Sequence, residues 1–418
     1  MKPIFRSTVT TLIATAFTAA LLATSAHADV VMDWNAKGEA ITIEKQDPPA
    51  VATRSMALLQ VAMFEAINAV DRRYTGFKLD LAAEKNTSKE AAAAAAAHGV
   101  LIALYPDQRA KLDTVLAMSL GAIAEGDPKD KGTALGRKAA AEIVALRARD
   151  GSNAPDSYRP HTSAGVYVPT TIPLGSTDGA ITPWTMTSGS QFRPAPPPAL
   201  DSATWTADLN EIRLLGARNS AVRTPEQTTI GRFWFAVGPR TWNPLVRQIA
   251  AAKDLDLVDC ARLFALVAMA GHDAYIAVFD AKYAYNFWRP ITAIRNADIT
   301  GNTATPREAA WLPLGDTPMH PEYPCAHCIT SSAVGTVLQS IVGNDVGEIS
   351  LTSPSVPGVT RKWARVQDYM DEVSSARVYA GFHYRFSTKV GEDMGRKIGE
   401  LTVARQLRGV TAEAQPAQ

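Results

Sequence analysis

The sequence predicts an all-α protein: helical bundles, two of the four-helix type packed together, joined by a long proline-rich connector. Three observations carry this. Apolar residues recur at helical spacing through most of the chain. Sustained period-two alternation between turn signals, the mark of a major sheet, is not found. Prolines crowd at 155, 160, 169, 173, 183, 194, 196, 197 and 198, which interrupts the helical texture between 151 and 200.

The 418 residues carry a formal net charge of +1, which gives no electrostatic case for binding nucleic acid. A hydrophobic share of 46% with 20% charged residues suits a chain that buries a large core. Lys2 and Arg6, the apolar run Thr11–Ala23 and the small-x-small site Ala26-His27-Ala28 read as a signal peptide over 1–28. The most apolar later run, Leu263–Phe279, holds His272 and Asp273, so no membrane partner is expected. The expectation is an exported protein, periplasmic or secreted, with its oligomeric state undetermined. Cys260, Cys325 and Cys328 are its only cysteines; the last two are close enough to pair, are simply buried thiols, or with a neighbouring histidine could bind a metal.

The helical half over 29–150 opens on a short mixed segment in which Asp33-Trp34-Asn35 reads as an anchoring turn. Leu59, Met63, Ile67 and Val70 then mark a helix over Arg54–Asp71. Ser88–Leu104 is alanine-dense, Tyr105-Pro106-Asp107 starts another helix, and Asp130–Arg149 forms a further one ended by Gly151. His98 reads as a packing residue with no matching partner. The connector over 151–200 is either an inert strap or part of an entrance to a site.

In the half over 201–410, Trp205, Leu209 and Ile212 mark one helix. Thr224-Pro225-Glu226-Gln227 has the form of a capping box, Asn243-Pro244 starts another helix, and Leu257 to about Tyr285 forms a long one. A helix from about Thr360 carries Trp363, Val366, Met370 and Val373 inward. Ser387 fits the N-cap of a last helix, beside a solvated Arg385. Residues 411–418 are expected to be a disordered tail.

Three stretches carry chemistry. In KYAYNFWRP (282–290), Lys282 and Arg289 are seven apart, sharing one face of a continuous helix about 10 Å apart until Pro290 stops it. Such a pair suits a tetrahedral anion, with Arg as a planar fork and Lys as a point charge, or is a solvated Lys and a snorkelling Arg at a helix terminus. In HPEYPCAHC (320–328), His327 lies in the first turn of a helix, where free N–H groups and the dipole favour an anion. There His327 can hand over or accept a proton, or merely cap the helix; His320, in the same loop, is more ambiguous. In ARVYAGFHYRFS (376–387), Arg377 and His383 are about 240° apart on a continuous helix, and Gly381 offers the break that lets them converge.

Together these stretches resemble the signature of the vanadium-dependent haloperoxidases and the related type-2 phosphatidic acid and bacterial acid phosphatases. Lys282, Arg289 and Pro290 match Lys-x6-Arg-Pro. Pro324 and His327 match Pro-Ser-Gly-His, and Arg377 and His383 match Ser-Arg-x5-His-x3-Asp. FWRPITAIR and HPEYP look most like the exported bacterial haloperoxidase-like branch; Asp33-Trp34-Asn35 and the helix near 54–71 resemble it more weakly. The resemblance implies that Lys282, Arg289 and Arg377, with the Ala326 N–H, hold the equatorial oxygens of vanadate or phosphate. It makes His383 the axial group, the vanadium ligand in a peroxidase or the nucleophile in a phosphatase, and His327 the acid/base. Vanadate is thus the expected cofactor of the peroxidase, and a phosphatase would need none.

Four positions depart from the pattern. Cys325, Ala326 and Ala376 stand where the family has serine, glycine and serine, and Ser387 where it has the aspartate that orients His383. Three functions follow as expectations: halide oxidation by hydrogen peroxide at a vanadate site, phosphomonoester hydrolysis through His383, or non-catalytic oxyanion binding.

Overall fold

The structure is a computed structural model and describes residues 29–410. The expected signal peptide and the expected tail lie outside the described residues. The chain there is all-α, with thirteen helices and one two-stranded hairpin among the described residues. The first half contains α1 (Asp29–Glu44), α2 (Pro49–Asp71), α3 (Lys89–Leu104), α4 (Arg109–Gly121) and α5 (Asp127–Leu146). The second contains α6 (Ala203–Leu215), α7 (Pro225–Phe233), α8 (Asn243–Ala252), α9 (Leu257–Tyr285), α10 (Pro290–Arg295), α11 (Ala326–Val342), α12 (Val366–Tyr379) and α13 (Arg385–Arg405). Between α11 and α12, β1 (Asp345–Thr352) pairs antiparallel with β2 (Thr360–Arg365).

Helix α9 is the shared axis. Its 29 residues run roughly 43 Å at the α-helical rise. It packs on α2 of the first bundle and on α11 and α13 of the second. Both α2 and α9 are long and apolar enough to cross a membrane by composition, yet their apolar windows are 89% and 94% buried inside the protein. Asp256 starts α9 by accepting from the N–H groups of Val258 and Asp259.

Close helix contacts set the second bundle. Gly391, Gly395 and Gly399 recur every four residues on the face of α13 that meets α11. A Cβ at Gly395 would lie 2.3 Å from the Ile329 carbonyl oxygen. Three glycines cost a helix about 3 kcal/mol relative to alanine. Here they let two backbones touch, which holds the helix of His327 against the helix that follows His383.

Several expectations are corrected. Asp33-Trp34-Asn35 is not a turn but part of α1, whose buried positions 31, 34, 35, 38, 39, 41 and 42 keep helical period. The polar Asn35 and Glu39 masked that stripe; both are buried because they accept from Arg247. Thr360–Arg365 is a strand with Trp363 facing inward, and the helix begins only at Val366. His98 has a partner, its Nε2 lying 2.6 Å from Asp113 Oδ1. Arg385 is half-buried and ion-paired with Glu211 at 2.6 Å.

The connector lies along α9. Buried Asp273 accepts from the N–H groups of Trp184, Thr185 and Met186 at 2.7, 2.8 and 3.2 Å. Beside it, fully buried His272 accepts at Nδ1 from Trp184 Nε1 at 2.8 Å, so its ring is neutral. Burial first, then the charges of Arg147 and Arg54, push its pKa from 6.5 down to about 3. Between those values the unfolded chain binds more protons. The stability this ring contributes is therefore present above pH 6.5 and lost as pH falls through the window. Asp273, pushed up from 3.8 to about 6 by burial, acts in the opposite sense over part of the same range. His272→Gln is expected to be less stable than wild type at pH 7 but to lose less between pH 7 and pH 4. Urea titrations of both proteins at the two pH values check this, and equal losses would sink it.

Candidate oxyanion site

The three sequence stretches meet beneath the connector, tied by their backbones. Glu322 N–H donates to the Phe287 carbonyl at 2.8 Å, and Cys325 N–H to that of Ser387 at 3.3 Å. Trp288 N–H donates to Gly165 of the connector at 2.9 Å. Trp205 stacks on Trp288 with ring centroids 5.9 Å apart and packs on Tyr384 at 5.0 Å, giving the site an aromatic floor.

Lys282 and Arg289 do not share a continuous helix. Helix α9 ends at Tyr285 with Asn286 left-handed at its cap, and Arg289 is the N-cap residue of α10. Pro290 starts that helix rather than stopping one, because its fixed φ and missing N–H suit a first turn. Arg289 is 1% exposed and nearly saturated. Its Nε donates to the His320 carbonyl at 2.9 Å and its Nη2 to His320 Nδ1 at 3.0 Å. Its Nη1 donates to the Phe382 carbonyl at 3.0 Å and lies 3.2 Å from His383 Nε2.

Arg377 reaches the same place from α12. Its guanidinium lies 4.9 Å over the Phe382 ring, its Nη1 donates to the Trp234 carbonyl at 2.6 Å, and its buried Nε has no partner. A buried cationic donor without an acceptor is what an oxyanion would satisfy. Gly381, at φ +78°, supplies the expected break between Arg377 and His383. A Cβ there would fall 2.5 Å from the Gly216 carbonyl oxygen.

Lys282 is fully buried in the same cluster, but its three protons go to the carbonyls of Pro321, Glu322 and Pro324 at 2.9, 2.7 and 2.5 Å. In this arrangement it holds the loop before α11 and acts on an anion through its charge, not through a free donor. Burial, then the charges of Arg289 and Arg377, drive its pKa well below the usual ammonium value despite Glu322.

Helix α11 begins at Ala326 with Cys325 as N-cap. Ala326 has no positive φ, so its Cβ costs nothing there. The N–H groups of Ala326 and His327 open the helix without an intrahelical partner. Cys325 and Cys328 are joined in a disulfide, and Cys325 Sγ accepts from Cys328 N–H at 3.2 Å. A bonded sulfur donates nothing, so the hydroxyl of the family's serine has no replacement. His327 is half-buried, and its Nε2 lies 3.1 Å from the Ala236 carbonyl. A carbonyl only accepts, so Nε2 carries the proton and Nδ1 is the basic atom. Burial, then Arg377, holds this imidazole well below its ordinary pKa.

His383 is 1% exposed, and burial followed by Arg289, Lys282 and Arg377 also keeps it neutral at ordinary pH. Its Nδ1 lies 2.8 Å from Glu322 Oε1, while Nε2 faces the Arg289 guanidinium. Since carboxylates accept and guanidiniums donate, the proton is on Nδ1 and Nε2 keeps its lone pair.

Ser387 is not an N-cap; Tyr384 holds that position, and Ser387 sits buried inside the first turn of α13. The residue that sequence reasoning missed is Glu322. Its signal was an acid held between two prolines and beside an aromatic, in a stretch already marked by histidines.

Two converging guanidiniums and a neutral imidazole, buried together in a helical bundle, make the donor set a tetrahedral oxyanion would need. Residues 262–411 match the family model described as the VCPO second helical-bundle domain. A vanadium chloroperoxidase of Curvularia inaequalis is 27% identical over 277 residues, 50% of this chain and 45% of that protein. The chain thus spans about half the length of that curated relative. A bacterial vanadium-dependent iodoperoxidase superposes with a TM-score of 0.81 at 24% identity, covering 93% of this chain and 99% of that one. A holo bacterial vanadium-dependent chloroperoxidase gives 0.65 at 17% identity, covering 85% and 91%. Residues 262–411 thus match that second helical-bundle domain, and the chain shares the fold of the bacterial vanadium-dependent haloperoxidases.

Proposed function

We propose that this chain is an exported vanadate-dependent haloperoxidase that oxidises halide with hydrogen peroxide. The observation that carries the proposal is the meeting of Arg289, Arg377 and His383 in one buried cluster, with Arg377 Nε unpaired and His383 Nε2 unprotonated. These residues fit vanadate: the guanidiniums and the first N–H groups of α11 would hold its oxygens, and His383 Nε2 would be the nitrogen ligand. Bound vanadate would supply the activation of peroxide toward halide.

The protein's own contributions follow from its atoms. The positive charges of Lys282, Arg289 and Arg377 offset the anion in a site shielded from water. The basic His327 Nδ1 takes a proton from the oxidant and returns one to the leaving oxygen. The Cys325–Cys328 disulfide removes a thiol that an oxidant would attack and supports export to an oxidising compartment.

The test is peroxide-dependent bromination and iodination with and without added orthovanadate. Dependence on both vanadate and peroxide is expected. Hydrolysis of p-nitrophenyl phosphate without halide oxidation would replace the proposal with a phosphomonoesterase using His383 as nucleophile. Oxyanion binding with neither activity would leave a binding protein. His327→Ala is expected to slow turnover roughly 100-fold. Its orthovanadate affinity should stay within a few-fold of wild type, as read by calorimetry; an affinity collapse would make His327 a holder of the anion instead.

A further inference from the structure

Glu322 is fully buried and held from every side. Its carbonyl accepts from Lys282 Nζ at 2.7 Å and its N–H donates to Phe287 at 2.8 Å, so its backbone cannot drift. Its Oε1 accepts from His383 Nδ1 at 2.8 Å and from the N–H of Tyr384, the N-cap residue of α13, at 3.1 Å. Its Oε2 has no partner, and neither has the buried hydroxyl of Ser387. Burial pushes the Glu322 carboxyl up from 4.5 to about 7, with Lys282, Arg289 and the nearby Ser387 hydroxyl acting against it, so it is a carboxylate at pH 8. Position 387 is four residues beyond His383, in the first turn of α13, and is where the family motif carries its aspartate.

We infer that Glu322 is the positioning carboxylate of His383 in this chain, delivered from the loop before α11 in place of an aspartate on α13. The inference deepens the oxyanion-site reading by naming what orients the axial ring. Two contacts of opposite sense lock that ring. A carboxylate on Nδ1 demands a proton there, and a guanidinium on Nε2 forbids one. Lys282 belongs to the same device, because its three bonds fix the carbonyls that carry Glu322 into place. The acid also offsets part of the positive charge of Lys282 and Arg289. A carboxylate with only that charge-balancing role would, on removal, strengthen anion binding and leave the ring unchanged.

The two roles separate experimentally. In the full chain without added vanadate, labelled with 15N at histidine, long-range 1H–15N spectra at pH 8 are expected to show His383 as the Nδ1–H tautomer. Glu322→Gln removes the charge and weakens the lock, and its His383 nitrogen shifts should move. Vanadate-loaded turnover should drop about 10–100-fold, with orthovanadate affinity by calorimetry no weaker than wild type. The double variant Glu322→Gln/Ser387→Asp, with the carboxylate returned from α13, should recover the wild-type shifts and at least part of the turnover.

An Nε2–H tautomer in the wild type would overturn the inference. So would Glu322→Gln with unchanged histidine shifts, whatever its turnover. If Glu322→Gln does not fold, the wild-type spectrum decides alone. The tautomer is read without any enzymatic assay, so failure of the haloperoxidase proposal leaves this test intact.

Discussion

Replacing His383 with alanine is expected to abolish turnover, by roughly 1,000-fold or more, whichever reaction the pocket performs. This imidazole is the only neutral nitrogen base among the described residues that Arg289 and Glu322 grip together, 3.2 and 2.8 Å from its two nitrogens. Alanine leaves Arg377 and the first turn of α11 in place, so orthovanadate should still bind, though more weakly. It also leaves Glu322 buried without its imidazole donor, a loss of about 1–3 kcal/mol. The measurement is therefore double: turnover under saturating vanadate, and a urea titration of the same preparation. Full activity in a folded variant would remove His383 from the axial role and take the proposed chemistry with it.

The second large effect is expected at a helix contact, away from the charged side chains of the site. Gly395→Val should destabilise the protein by about 3 kcal/mol. A Cβ there meets the Ile329 carbonyl oxygen at 2.3 Å, Ser332 Cβ at 2.7 Å and Ala333 N at 2.9 Å. Two of those atoms are backbone and cannot rotate aside, so α13 must move off α11. That separation pulls the start of α13, next to His383, away from the start of α11, next to His327. Turnover should fall along with the urea midpoint. Gly409→Val is the control, since nothing lies within 4 Å of a Cβ there. Wild-type stability in Gly395→Val would mean that the helices are not held at backbone contact.

Much of the fold was legible because caps and apolar spacing are local signals. The capping box at Thr224, the proline start at Asn243-Pro244 and the full length of α9 all stand where the sequence placed them. The errors came where a polar residue did a core residue's work. Asn35 and Glu39 hid α1, Pro290 was read as stopping a helix that it starts, and Ser387 as a cap when it lies inside the first turn of α13. Each error reflects a signal with two local meanings: proline both stops and starts helices, and serine is both a cap and a small buried residue.

At the site, the residue types and their spacing in the chain were enough to nominate Arg289, Arg377, His327 and His383. A cation and an imidazole recurring around helix breaks is unusual in one dimension. What the linear order could not contain is which donor faces which acceptor. Lys282 is an anion ligand by motif, but in three dimensions its protons belong to three carbonyls forty residues away. Ser387 looks like a missing carboxylate, yet the carboxylate is present, carried in from Glu322. Sequence determined the helices, the charges and the candidate rings, because those follow from local preference and composition. Only the packing of α9, α11 and α13 decided partners and protonation, because hydrogen bonds and desolvation depend on distance through space, not along the chain.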